Sequence, residues 1–174
     1  SLASIHTIAI TGCPCASRWS CGACEDRKVS GPILVAIGPA GITAPMADMI
    51  ARLAGTGERQ DVAVTVVHVA RVWGTSLGIQ HPALQPTAGE RGTAQELVVR
   101  AAQELRVRGV EAEGLVTSGR DVGKALADTA RRAGASAIVV GRSDSGRLSR
   151  LLRGSDPART VLGRARCSII AVSG

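Results

Sequence analysis

Four short runs of aliphatic, largely β-branched residues dictate how this chain can fold: Ile33-Leu-Val-Ala-Ile37, Val62-Ala-Val-Thr-Val-Val-His-Val69, Ala137-Ile-Val-Val140 and Ser168-Ile-Ile-Ala-Val172. A strand that is apolar at consecutive positions has no solvent face, so it belongs inside a parallel sheet that helices cover on both sides. The segments between the runs supply those helices. After the first run, Met46, Met49, Ile50 and Leu53 fall at i, i+3, i+4 and i+7, with Thr43 placed to cap the helix and Gly55 to end it. After the second, a stretch from Arg71 to Gly92 rich in Gly, Pro, Gln and Thr has no period and is longer than an ordinary connection.

Thr93 and Glu96 then have capping-box spacing, and Leu97, Ala101 and Leu105 continue a helix until Gly109. Val110 to Thr117 alternates apolar and polar residues, the pattern of an exposed edge strand. From Asp121 a helix carries Val122, Ala125, Leu126, Thr129, Ala130 and Ala133 on one side and stops at Gly134. A short fourth helix runs through Val161, Leu162 and Ala165. The expectation is an α/β domain over residues 31–174: a single open five-stranded parallel sheet, helices on both faces, and a ligand crevice at the carboxyl ends of the strands. Residues 1–30 form a cysteine-containing extension before it.

Composition removes several function classes. The 174 residues include Trp19 and Trp73 but no Tyr or Phe, so the core is built from Val, Ile, Leu and Ala, and stacking of bases on aromatic rings is not on offer. The net charge of +7 comes almost entirely from arginine, since Lys28 and Lys124 are the only lysines. Such a field favours anionic partners. The arginines are dispersed rather than gathered in a basic run, which argues against specific nucleic-acid binding. No apolar run approaches the ~20 residues of a membrane span and the start has no leader pattern, so a soluble cytoplasmic protein is expected, with no membrane partner. The preference for arginine over lysine, with abundant Ala, Gly and Val, points to a GC-rich bacterial source.

The strand Ala137–Val140 runs directly into Gly141-Arg-Ser-Asp-Ser-Gly-Arg-Leu-Ser-Arg-Leu-Leu-Arg-Gly-Ser155. Glycines at 141, 146 and 154 and arginines at 142, 147, 150 and 153 can wrap phosphate oxygens with backbone amides and guanidinium groups. Ser155 or Asp156 caps the following helix, and Pro157 suits its first position. A solvated arginine-rich turn is the other reading of the same residues.

Residues 32–174 resemble a universal stress protein domain. The resemblance is carried by Ile33-Leu-Val-Ala-Ile37, Val66-Val-His-Val69, Gly134-Ala-Ser-Ala-Ile-Val-Val-Gly141, and Leu148-Ser-Arg-Leu-Leu-Arg-Gly-Ser155 through Ile169-Ile-Ala-Val172. It implies a Rossmann-like sheet of the adenine nucleotide alpha hydrolase kind in the order 3-2-1-4-5, a homodimer paired through the last strand, and a stress-response role. Members that bind ATP carry G-x2-G-x9-G-[ST]; Gly141, Gly154 and Ser155 match, while Asp144 occupies the middle glycine position. An unneutralised carboxylate there opposes the phosphates by on the order of 1 to 4 kcal/mol. Asp156 adds a second acid, and Arg142, Arg147 and Arg150 can pair with both. At the end of the first strand, where ATP-binding members have Asp, this chain has Gly38.

The site that the resemblance implies places Gly38, Pro39 and Val67 near the base and ribose, and Gly141, Arg142, Gly154 and Ser155 around the phosphates of ATP with its Mg²⁺. Three functions follow from it: a stress-response binding or regulatory protein with a degraded adenine-nucleotide crevice, an ATP-binding member with weak ATPase activity, or a nucleotide-free dimeric scaffold. No catalytic residue is named, because the absent strand-end Asp removes an obvious metal ligand.

His68 lies within an apolar strand and reads as a satisfied core histidine; His6 and His81 read as surface residues. In the extension, Cys13, Cys15, Cys21 and Cys24 are enough thiols for one tetrahedral zinc, although the two pairs stand unusually close together, and an unstructured segment is the alternative. Cys167 reads as a small core residue.

Overall fold

The computed structural model describes residues 31–57, 60–72, 86–142 and 167–173. They form β1 (Ile33–Ile37), α1 (Ala44–Ala54), β2 (Val64–Arg71), α2 (Ala88–Val107), β3 (Ala112–Gly119), α3 (Val122–Arg132), β4 (Ala137–Arg142) and β5 (Ser168–Ser173). The strands make one parallel five-stranded sheet in the order β3-β2-β1-β4-β5. β1 therefore lies at the centre, and every side chain from Ile33 to Ile37 is buried.

Alternation along the strands divides the core into two layers. Ile33, Val35, Ile37, Val64, Val66, Val139 and Ile170 pack with Met46 and Ile50 of α1 and Val98 and Leu105 of α2. Leu34, Ala36, Val67 and Ile138 face the other way, toward Leu126 and Ala130 of α3. Each large aliphatic side chain removed from water contributes roughly 1.5–3 kcal/mol, so the central strand, buried on both faces, anchors the fold. Among the described residues no helix is long and apolar enough to cross a membrane.

Most expected elements form, and the boundaries that move do so for identifiable reasons. β2 starts at Val64 because pairing with β1 starts there: the Ile33 amide donates to Ala63 O at 2.8 Å and Ile33 registers with Val64. α2 begins earlier than the Thr93–Glu96 spacing suggests. Its cap is Thr87, whose hydroxyl accepts from the Glu90 amide at 3.2 Å while the Glu90 carboxylate accepts from the Thr87 amide at 2.7 Å. Thr93 sits inside the helix and bonds back to Gly89 O at 3.1 Å.

α1 ends at Gly55, whose φ of +77° suits a residue without a Cβ. Thr43 stands at the N-cap of α1 but its side chain makes no capping bond. Ala133 is the exposed C-cap of α3 rather than part of its apolar stripe. β4 runs two residues past Val140, because Gly141 and Arg142 stay in register with Val172 and Ser173. β3 is an edge strand, with Leu115 42% exposed. The expected fourth helix and most of the expected excursion lie outside the described residues.

Candidate functional site

In this strand order the chain leaves β1 toward β2 and returns to the sheet at β4, on β1's other side. Connections that diverge from two adjacent strands leave a crevice outside their carboxyl ends. Beyond Ile37 the backbone turns through Gly38-Pro39-Ala40-Gly41, closed by the Gly41 amide donating to Gly38 O at 3.0 Å. Proline at the second position presets the required φ, and Gly41 takes a φ of +77°. Gly38, Pro39 and Ala40 are all exposed, and a Cβ built on Gly38 would meet none of the described residues within 4 Å.

Across the crevice, Gly141, next to last in β4, stands under different constraints. A Cβ there would come within 3.2 Å of Met46 Sδ in the first turn of α1, so a side chain at 141 would make the methionine shift by a few tenths of an ångström. Gly141, expected as the first glycine of a phosphate loop, is thus also closely packed against Met46. α1 opens beside this point with Pro45 in its first turn, no acidic residue there and no side-chain cap. α2 and α3 are capped by their own side chains, α2 through Thr87 and Glu90, α3 through Asp121, whose carboxylate accepts from the Lys124 amide at 3.0 Å. The bonds from Thr87 hold the Glu90 carboxyl below its ordinary value. Arg120 and Lys124 stand exposed at this same end of the sheet.

Val67 of β2, expected near the base and ribose, and Val69 two residues on differ in burial. Val67 is 0% exposed within the layer against α3, so its side chain has no route to a ligand at the strand ends. Val69, on the same face and nearer the carboxyl end, is half-buried and packs at the rim of that layer. His68 between them is half-buried, not a core residue, and its Nδ1 lies 3.1 Å from Ile37 O. A carbonyl oxygen only accepts, so Nδ1 carries the hydrogen and donates it.

The structure thus brings Gly38, Pro39, Gly141 and the backbone of Arg142 to one end of two adjacent strands. Gly154, Ser155, Asp144 and Asp156 lie outside the described residues, as do Cys13, Cys15, Cys21, Cys24, His6 and His81. Among the described residues no group of three or more His, Cys, Asp or Glu side chains is placed to hold a metal ion. Cys167 is a buried free thiol, and burial pushes its pKa up, so the reactive thiolate is disfavoured. The signal for Val69 and His68 was present in Val66-Val-His-Val69; what decides their exposure is how far β2 outruns its partner β1, which one strand's sequence does not contain.

Residues 30–173 match the family model described as the universal stress protein family. Solved structures resemble the chain over most of its length. UspA from Lactobacillus plantarum is 20% identical with a TM-score of 0.60, the alignment covering 83% of this chain and 98% of that one. The universal stress protein of Archaeoglobus fulgidus in complex with dAMP is 21% identical with a TM-score of 0.56, over 83% and 98%. A family protein from Arabidopsis thaliana with AMP bound is 15% identical with a TM-score of 0.52, over 82% and 91%. At these identities the likeness establishes the fold. No curated protein matches the chain.

Proposed function

The chain belongs to the universal stress protein family, and from that premise we propose that it acts in stress-response regulation by holding an adenine nucleotide over the carboxyl ends of β1 and β4. The observation that carries this reading is the open turn at Gly38, with none of the described residues within 4 Å of its missing side chain, directly across from the end of β4. Two of the similar structures hold dAMP and AMP. Gly38 and Pro39 form the floor under the base and ribose, with Val69 in the place first given to Val67. Gly141 and Arg142 begin the phosphate-binding segment, which Gly154 and Ser155 complete. The residues fit such a group: Gly38 leaves space where a side chain would project, and Arg120 and Lys124 place positive charge at the same end.

In this reading the nucleotide supplies a signal through occupancy, and the protein's own work is to orient the base and neutralise the phosphates. Residues 31–174 form the binding domain, residues 1–30 an extension to it, and two copies pair through β5, which is an edge strand among the described residues. Native mass spectrometry of freshly purified protein, followed by thermal denaturation with millimolar AMP or with ATP and Mg²⁺, tests the proposal. Ligand at 100 times its Kd stabilises by about 2.7 kcal/mol, so unchanged midpoints with both nucleotides overturn it. Asp144→Gly is expected to strengthen ATP binding, and turnover abolished by Ser155→Ala would extend the reading to a weak ATPase.

One observation favours a second reading, a nucleotide-free dimeric scaffold: Gly38 offers no side chain where nucleotide-binding relatives have Asp. A ligand-free dimer in the mass spectrum, indifferent to added nucleotide, is its expected signature.

A further inference from the structure

His68 and Ile37 are the last residues that β2 and β1 share in register, and the imidazole adds a donation from Nδ1 to Ile37 O, a carbonyl that this register also turns toward the Val69 amide. Residues of one strand alternate in which neighbour their backbone N–H and C=O face. The Ile33 amide donates to Ala63 O on the β2 side, so Ile33, Val35 and Ile37 present their backbone groups to β2, while Leu34, Ala36 and Gly38 present theirs to β4. A peptide plane is rigid, and its C=O and N–H point in opposite directions. Holding the Ile37 carbonyl against His68 therefore also holds the Gly38 amide on the β4 side, toward Gly141. The turn that follows inherits the same orientation, because Gly38 O is the acceptor for the Gly41 amide.

Glycine at 38 makes this constraint matter. With no Cβ, and no described residue within 4 Å of where one would be, no side chain at 38 helps to orient the Ile37–Gly38 peptide, and backbone hydrogen bonds alone do so. We propose that His68 is a positioning residue of the crevice: its Nδ1–H is a second donor on the Ile37 carbonyl, beside the strand ladder, and stiffens the last peptide of β1 so that the Gly38 amide and the Pro39 turn are preorganised for an adenine nucleotide. This deepens the nucleotide-binding reading and rests on it. His68 touches no ligand in this scheme. It acts through the backbone that does.

Two side chains separate this role from general packing. Asn carries its amide nitrogen where histidine carries Nδ1, whereas Gln carries its nitrogen where histidine has Nε2. Titration calorimetry with AMP is expected to find His68→Asn close to wild type and His68→Gln weakened about three- to tenfold, the range of one lost neutral hydrogen bond. In ¹⁵N spectra of the unliganded protein, wild-type His68 shows the Nδ1–H tautomer, and the Gly38 amide resonance moves in His68→Gln but not in His68→Asn. Equal AMP affinity in all three proteins, or equal losses in both variants, overturns the positioning role. If wild type binds no AMP while the spectra behave as described, the nucleotide reading falls and the clamp on the Ile37–Gly38 peptide stands. If the Gly38 resonance ignores both variants, the clamp itself falls.

Discussion

The same dipeptide, Gly-Pro, flanks β1 at both ends, and the two copies live in opposite surroundings. At Gly31-Pro32, Ser136 Oγ donates to Gly31 O at 2.8 Å and lies 3.2 Å from Pro32 O, while its amide donates to Pro32 O at 2.8 Å. The Ser168 amide then passes the chain of bonds on to Ser136 O at 3.0 Å. A Cβ on Gly31 would press within 3.2 Å of the Ser136 Cβ. At Gly38-Pro39 one hydrogen bond closes an exposed turn, and a Cβ would touch none of the described residues. Composition is identical, so the difference belongs to the topology: among the described residues the amino end of β1 is sealed by Ser136, and its carboxyl end stays open where the connections diverge.

The sharpest contrast is between neighbours. Ile37 is 6% exposed and packs in the layer under α1 and α2, so Ile37→Ala is expected to lower stability by about 2–5 kcal/mol, as a buried aliphatic truncation does. Urea denaturation measures it. The openness of the carboxyl end starts only one residue later, and a loss at Ile37 much below that of Ile33→Ala would move the boundary into the strand. Next in size is Gly31→Ala, which forces a methyl group against Ser136 and is expected to destabilise by about 1–3 kcal/mol without changing nucleotide affinity. A neutral result would mean that the sealed end yields as freely as the open one.

Among the described residues α2 starts at the same end as the open β1–α1 turn, but with a complete capping box. Thr87→Ala is expected to cost about 1 kcal/mol by thermal or urea denaturation. The same bonds depress the folded-state pKa of Glu90. A depressed carboxyl contributes stability that is present above its unfolded value and lost as pH falls through the folded one. The gap between wild type and Thr87→Ala should therefore narrow as pH drops below the ordinary value of 4.5. A gap independent of pH would place the whole effect in the threonine hydroxyl.

How much of this was legible beforehand differs by region for the same reason. The strands, the sheet order implied by the family resemblance and the two core layers follow from aliphatic runs and helical stripes, which are local signals, and β3 announced its edge position by alternating. The start of α2 was missed because Gly89 and Gly92 interrupt its first turns, so Thr93 looked like a cap when it is a helix residue bonding to Gly89. At the site, Gly38 and Gly141 were picked out as glycines, but only packing shows that one is open and the other pressed on Met46. That Val67 is buried while Val69 lies at the rim depends on how far β2 outruns its neighbour, which a strand's own residues do not say. The role of His68 depends on a carbonyl 31 positions away in the chain.

The smallest expected change in stability is at Gly38, where ligand binding is the more telling measurement. The backbone there is not left-handed and the space is empty of described residues, so Gly38→Ala should leave stability unchanged or raise it by up to about 1 kcal/mol, through loss of freedom in the unfolded chain. Gly38→Asp should be equally harmless to the fold, since its carboxylate projects into solvent at an exposed turn. It also restores the acid that the resemblance assigns to this strand end, and AMP affinity is expected to rise about three- to tenfold, the worth of one recovered polar contact. Calorimetry on the three proteins separates the readings. Tightening by Asp but not by Ala means that the open end is a nucleotide site lacking one contact. If both variants fold and neither binds AMP, the space at Gly38 serves something other than a nucleotide, and the two ends of β1 differ in packing alone.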